Sequence, residues 1–404
     1  MYSTKLYDVV VVGAGAVGLA SALALLRRGH RSILVLEAEP RVARHQTGHN
    51  SGVIHSGLYY RPGSLKAANC VRGREQMYAF CAEHGIAHEK CGKLVLAVNE
   101  DERPRLTELQ RRGEENGLLG VRCPDKAEIP DVEPYAAGVA GLWVPDTGIV
   151  DFVQVAETYQ RLLQEAGVDI VLGAKLEQVV RDGSELRCVT TKGEYRARNL
   201  VNCAGLYSDR VARCCGLEPD VRIIPFRGEY FVLRQDRRSL VRNLIYPVPD
   251  PRFPFLGVHL TRMVNGAVEA GPNAVLALCR TGYKRSSFSL EDTLGMLGFG
   301  GFWKMTLRYG KSGIGEMARS LSEKFFLRAL QRLVPVLEDG DIHRHGAGVR
   351  AQAVDRAGRL VDDFRVLDAE RMVHVLNAPS PAATASLSIG ESVADMAEKT
   401  FAWT

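Results

Sequence analysis

Asp8-Val9-Val10-Val11-Val12-Gly13-Ala14-Gly15-Ala16-Val17-Gly18 is the stretch from which the fold can be read. Four β-branched residues in a row suit a strand buried on both faces. The glycines that follow exclude bulk at three positions. Gly13 permits a sharp turn, Gly15 lets a phosphate approach the backbone, and Gly18 seats the following helix on the strand. Unpaired amides and aligned peptide dipoles give the helix start, with Ala16 and Val17 in its first turn, roughly half a positive charge that favours a diphosphate. The helix continues in Ala and Leu to Gly29, and residues 32–36 form a second strand that ends at Glu37-Ala38. A carboxylate there accepts both ribose hydroxyls of an adenosine and repels a 2′-phosphate, which predicts FAD or NAD over NADP.

At 404 residues the chain exceeds one ordinary core, so two or three domains of about 150 residues are expected. Its hydrophobic fraction of 46% can fill such cores, but no run approaches the ~20 apolar residues of a membrane span. The first strand begins at Asp8, leaving no room for a cleavable signal, and the expected location is cytoplasmic. Nine scattered cysteines without a CxxC pair read as reduced thiols, so neither disulfides nor a metal is expected. The 52 basic and 47 acidic residues are interspersed, which argues against a nucleic-acid partner. The net charge of +5 suits an anionic substrate or an anionic membrane surface.

Changes of texture predict an α/β architecture in which a Rossmann-like FAD-binding domain is interleaved with a mixed-sheet α+β substrate-binding (capping) domain. The first takes residues 1–84, 150–218 and 341–404, the second 85–149 and 219–340. In the first, a helix over 65–84, a helix over 153–166, a strand over 169–172 and a β-pair over 176–198 precede a buried strand, 200–203. Ala204-Gly205 ends that strand in a tight turn, so Cys203, Ala204 and Gly205 are expected to line the nucleotide, with Val179 of the β-pair as a further cofactor contact. In the second, strands over 93–98, 142–144, 230–233 and 244–246 accompany a charged helix over 102–116. Gly346-Ala347-Gly348 reads as a turn returning the chain to the first domain. After a strand over 373–376, Ser380 suits an N-cap and Pro381 the first helical position of a helix reaching about Lys399.

The chain thus has strand-to-helix junctions near both ends, and a second one points to a flavin. A nicotinamide leaves after each turnover, whereas a flavin stays and gains charge on one edge when reduced. A helix start aimed at that edge, here Pro379, Ser380, Pro381, Ala382 and Ala383, stabilises the charge.

Five stretches carry a family resemblance. They are Arg44-His45-Gln46-Thr47-Gly48-His49-Asn50-Ser51-Gly52-Val53-Ile54-His55-Ser56-Gly57-Leu58-Tyr59-Tyr60, Phe226-Arg227-Gly228-Glu229-Tyr230, Tyr246-Pro247-Val248-Pro249-Asp250, Gly257-Val258-His259-Leu260-Thr261 and residues 377–391. In order and over nearly the whole chain, they resemble the L-2-hydroxyglutarate dehydrogenases/oxidases, which are D-amino-acid-oxidase-like flavoproteins. The match is poorest over 286–339. The resemblance implies resident FAD and oxidation of L-2-hydroxyglutarate to 2-oxoglutarate by hydride transfer to the flavin. It implies that Arg44, His45, Thr47, His49, Asn50, Ser51 and Gly52 form a flavin loop. Lacking a mitochondrial N-terminal extension, the chain is similar to the bacterial, cytoplasm-facing type.

Oxidising a 2-hydroxy acid also requires a base for the hydroxyl proton, and histidine titrates in the useful range. His55, in the flavin loop, is the favoured base, and His259 a hydrogen-bond donor to substrate. Two substrate carboxylates need cations. Arg350 is the first choice for the one beside the hydroxyl, with Arg227, Arg262 and Arg280 as other cations and Lys66, Tyr59, Tyr246 and Thr261 as further donors. Residues 294–304 read as a Phe/Trp/Gly-rich loop. Beyond it Met317, Leu321, Phe325, Leu330 and Leu333 recur at helical spacing among Arg319, Lys324, Arg328 and Arg332. Such a segment suits peripheral contact with an anionic membrane, where a quinone would take the electrons. The alternatives are an FAD oxidase of another L-2-hydroxy acid or amino acid, and a nucleotide-holding scaffold without turnover.

Overall fold

The computed structural model describes the chain apart from residues 1, 31, 251–256, 322, 402 and 404, and apart from the side chains of 2–4 and 311–321. The strand that carries the opening motif, Tyr2–Val12, lies inside an eight-stranded sheet. Ile33–Leu36 and Asp169–Val171 follow on one side, Gly193–Asn202 and Met372–Asn377 on the other, all parallel. Arg365–Ala369 closes one edge antiparallel, and the strands Leu176–Asp182 and Glu185–Thr190 branch from Gly193–Asn202. The expected strand over 200–203 is therefore the end of a longer one.

Valine at four successive positions is explained by two covered faces. Val9 and Val11 enter a core shared with the helices Ala16–Arg27, Phe152–Glu165 and Ser386–Thr400. Val10 and Val12 enter another with Leu186, Leu200 and Val211. Burying each side chain stabilises the fold by about 1.5–3 kcal/mol. The chain order reverses at Tyr2–Val12, whose neighbours are the early strand Ile33–Leu36 and the late strand Gly193–Asn202. The crevice beyond their C-terminal ends, at Gly13 and Cys203, is where such sheets bind ligands.

A second eight-stranded sheet runs in the order Val275–Leu276, Val221–Leu233, Val268–Gly271, His259–Arg262, Leu244–Pro247, Lys93–Ala97, Ala140–Val144. Ile342–Asp355 also pairs with Val221–Leu233 along its full length. Two expectations are corrected here. Gly346-Ala347-Gly348 lies within a strand, not at a turn, and 342–355 joins the second sheet rather than the cofactor sheet. Glycine is needed at 348 because a Cβ there would lie 2.5 Å from the His49 carbonyl oxygen. A three-stranded sheet of Val53–Ile54, Gly148–Val150 and His88–Glu89 supports the loop that ends at His55.

The expected loop over 294–304 is instead mostly helical, as the end of Leu290–Leu297 and the start of Gly300–Leu321. The helix Glu323–Gln331 turns Phe326, Leu327 and Leu330 into the second core, where Phe326 packs 4.3 Å from Phe231, and Leu333 follows. Leu330 and Leu333 are thus core residues rather than a membrane face, while Phe325 is exposed. The side chains of Met317, Arg319 and Leu321 lie outside the described residues.

Candidate active site

A cavity of about 1170 Å³ is lined both by Gly13, Gly15, Ala16 and Val17 and by Pro379, Ser380, Pro381, Ala382 and Ala383. The two junctions therefore meet. At the first, Gly13 has φ +105°, and a Cβ there would sit 2.6 Å from the Cys203 carbonyl oxygen. No side chain caps the helix at Gly15, and no acidic residue occupies its first turn. Thr47 accepts from the Ala16 amide at 3.0 Å, so the loop is moored to the helix start. Glu37 accepts from the amides of Ala14 (2.6 Å) and Glu39 (2.9 Å), which holds its carboxylate at the cavity wall. Ala38, Arg44, His45, His49, Asn50, Ser51, Cys203, Ala204 and Gly205 also line the cavity. Asn50 stiffens the loop, donating to the Gln46 and Thr47 carbonyls and accepting from the Gly52 amide.

Three expected cofactor residues do not line it. Gly18 acts in packing, since a Cβ would fall 1.9 Å from the Gly13 carbonyl oxygen. Gly52 faces the Val150 carbonyl, and Val179 is buried in the core beneath the sheet.

The second junction differs from expectation in its start. The helix begins at Ser386, and Ser380 caps nothing. Residues 380–385 form a hydrogen-bonded turn, with the Ala385 amide donating to the Pro381 carbonyl at 3.0 Å. Tertiary bonds explain the delay. Thr384 Oγ1 donates to the Val53 carbonyl and accepts from the His55 amide, each at 3.1 Å, tying this turn to the loop that carries His55. Thr384 also lines the cavity. Nothing in its local sequence distinguishes it from the small residues around it.

At the other end of the cavity stand His55, His259, Tyr59, Tyr230, Tyr246, Lys66 and Arg350. Burial, reinforced for His55 by Lys93 and His259, pulls the pKa of each imidazole down to about 3, so both are uncharged at neutral pH. His259 stacks on Tyr246 at 3.9 Å, and its Nδ1 lies 2.8 Å from the Gly257 carbonyl oxygen. A carbonyl can only accept, so Nδ1 carries the hydrogen and Nε2 keeps its lone pair. His259 is expected as a donor to substrate, and in this tautomer its Nε2 is an acceptor.

Other expected substrate residues are engaged elsewhere. Arg280, 4% exposed, forks onto Asp209 and donates to the Leu206 and Ile223 carbonyls. Arg227 donates to the Lys284 carbonyl and Glu229, and Arg262 pairs with Glu89. None of these three lines the cavity, and each is paired to a carboxylate of the fold. Thr261 is buried behind Tyr246 and bonds to its side chain.

The residues present fit a bound FAD. An uncapped helix start, glycines where a Cβ would collide and a fixed carboxylate suit the adenosine diphosphate half. The second junction shares the same cavity. A dinucleotide cradle opening onto a pocket of imidazoles, tyrosines and an arginine defines a flavin-dependent oxidoreductase. The chain belongs to the FAD dependent oxidoreductase family, whose model it matches over residues 8–396. It is similar to the L-2-hydroxyglutarate dehydrogenase of Indibacter alkaliphilus, with 50% identity covering 98% of this chain and 100% of that one. It is 45% identical to the mitochondrial L-2-hydroxyglutarate dehydrogenase of Bos taurus, over 99% of this chain and 90% of the relative. Among solved structures, dithionite-reduced L-alpha-glycerophosphate oxidase from Mycoplasma pneumoniae with FAD bound has a TM-score of 0.79 at 21% identity, covering 99% and 96% of the two chains. Glycine oxidase from Geobacillus kaustophilus reaches 0.72 at 18%, with the same coverage. At such identities these two structures speak to the fold alone.

Proposed function

We propose that this chain oxidises L-2-hydroxyglutarate to 2-oxoglutarate with FAD as its resident cofactor. The observation that carries the reading is the meeting, in one cavity, of the dinucleotide cradle with two uncharged imidazoles and Arg350. Near-full-length similarity to L-2-hydroxyglutarate dehydrogenases names the substrate. When bound, FAD supplies the acceptor for the hydride that leaves C2. His259 Nε2 takes the hydroxyl proton, its orientation set beforehand by Gly257 and Tyr246, and His55 stands beside it as the second acceptor. Before substrate binds, an imidazole held near pKa 3 is a weak base. Two incoming carboxylates stabilise its protonated form and move it toward the operating pH. Arg350 holds the carboxylate next to C2 through its planar fork. Mixing the yellow protein anaerobically with the L and D isomers tests this: only the L isomer should bleach the flavin. Bleaching by D, or by neither, would refute it.

The proposed cofactor domain takes 1–84, 150–218 and 356–404 and the proposed capping domain 85–149 and 219–355; the pairing of Ile342–Asp355 with Val221–Leu233 supports the last boundary.

Electrons are proposed to pass to a quinone at a membrane surface. No helix among the described residues is long and apolar enough to cross a membrane. Phe288, Leu290, Leu294, Leu297, Trp303 and Leu307 are nonetheless exposed, near the exposed Lys284, Lys304 and Arg308. Apolar side chains beside basic ones suit an anionic bilayer surface. Trp303→Glu with Leu307→Glu should abolish co-sedimentation with phosphatidylglycerol vesicles and leave reduction by substrate unchanged; undiminished sedimentation would end the proposal.

A further inference from the structure

Lys93 opens the Lys93–Ala97 strand and is 1% exposed. Its ammonium lies 4.3 Å from the ring centre of Tyr59 and 5.1 Å from that of Tyr246, two residues of the cavity wall. The titratable groups facing it are Cys70 on the helix Leu65–Glu83, His55, His259 and these two tyrosines. No carboxylate is among them within the described residues. An ammonium taken out of water without an anion is strongly disfavoured, and two aromatic faces offset only part of that. Beside it the Tyr59 hydroxyl is buried with no hydrogen-bond partner. Lys93 is not on the cavity surface but stands behind these two rings; a buried cation there and an unmet hydroxyl on the wall are together the complement of an anion.

The other basic groups of this end are differently placed. Lys66 donates to the Asp362 carbonyl and already feels the carboxylates of Asp362 and Asp363. Arg350 is assigned above to the carboxylate beside the hydroxyl. We propose that Lys93 is the specificity-determining cation for the second, distal carboxylate, so that the site selects 2-hydroxydicarboxylates over monocarboxylates of similar length. This rests on the function proposed above.

Burial pulls Lys93 down to about 7, so before substrate binds this charge is lost as pH rises through that value. Affinity for a dicarboxylate should fall there, whereas affinity for a monocarboxylate held by Arg350 alone should not.

The test titrates FAD-loaded protein with glutarate and with butyrate, read by flavin absorbance and by calorimetry. Lys93→Met should weaken glutarate by roughly 10- to 100-fold and leave butyrate within about threefold. In the unmutated protein the preference for glutarate should drop about tenfold per unit above pH 7. Lys93→Arg, which keeps its charge, should hold that preference level. Equal loss of both ligands in Lys93→Met, or no loss, would overturn the proposal. If Lys93→Met does not retain FAD, the pH series decides: a glutarate preference that stays flat from about pH 6 to 9 in the unmutated protein sinks it. Failure of the underlying reading is visible separately, as unmutated flavin that L-2-hydroxyglutarate does not bleach.

Discussion

The two ends of the cavity are built on opposite plans. At the nucleotide end the backbone does the holding, through an uncapped helix start, glycines in close approach and one carboxylate fixed by the amides of Ala14 and Glu39. Those parts lie between residues 13 and 47. At the end where the reaction is proposed, side chains arrive from separate places: His55 and Tyr59 from one loop and Tyr246, His259 and Arg350 from three strands of the second sheet, with Lys93 of a fourth behind the two tyrosines. Backbone binding tolerates no Cβ, so it is all-or-none. Side-chain binding is graded, and each residue can be lost with the cofactor still in place.

The contrast can be broken most sharply at Gly18. Gly18→Val drives a side chain into the Gly13 carbonyl oxygen, 1.9 Å from the Cβ position, and should yield protein without flavin absorbance and with a collapsed melting transition. A yellow, cooperatively melting variant would contradict the backbone plan.

His259→Ala, by contrast, should retain FAD and lose about 10²–10⁴ in kcat, measured by anaerobic single turnover. His55→Ala sharpens the assignment, and near-normal turnover in both variants would remove imidazole as the base. Arg280→Met belongs to neither end. It leaves buried Asp209 with Arg213 as its remaining cation and should lower stability by about 1–3 kcal/mol in denaturant titration while the KM of the folded fraction stays unchanged. A raised KM would restore it as a substrate residue. Arg350→Lys turns a fork into a point charge and should raise KM by roughly 10- to 100-fold with FAD affinity unaltered.

The smallest effect is an absence. Both imidazoles have pKa values lowered from 6.5 to about 3, so they are uncharged until the pH falls that far. The kcat/KM profile should therefore show no acid limb from these groups near pH 6.5. A limb there would mean that one of them titrates as an exposed histidine does.

Much of the nucleotide end was legible in advance. Four valines, three glycines and Glu37 at their spacing define the strand, the turn and the carboxylate, because each requirement is met within a few residues of the chain. The second junction was legible in its position but not in its start. Ser380 has the chemistry of an N-cap, yet Thr384 is pinned to Val53 and His55 and moves the helix start to Ser386. At the reacting end, Arg227, Arg262, Arg280 and Arg350 were equivalent as arginines in apolar surroundings. Which of them faces the cavity depended on whether Glu229, Glu89 and Asp209 lay within reach, and strand pairing between distant segments settles that. Lys93 escaped notice because a lysine heading a strand looks like a solvated end.

By itself the amino-acid sequence determined the α/β cofactor sheet, the dinucleotide preference and the family, since glycine sterics, strand and helix periodicity and long matching strings are properties of contiguous residues. Tertiary structure alone decided the inclusion of 342–355 in the second sheet, the His259 tautomer, the cavity-facing arginine and the burial of Lys93 with no carboxylate facing it among the described residues. Each of those depends on hydrogen-bond partners and desolvation, which come into being only when segments far apart in the chain are brought together.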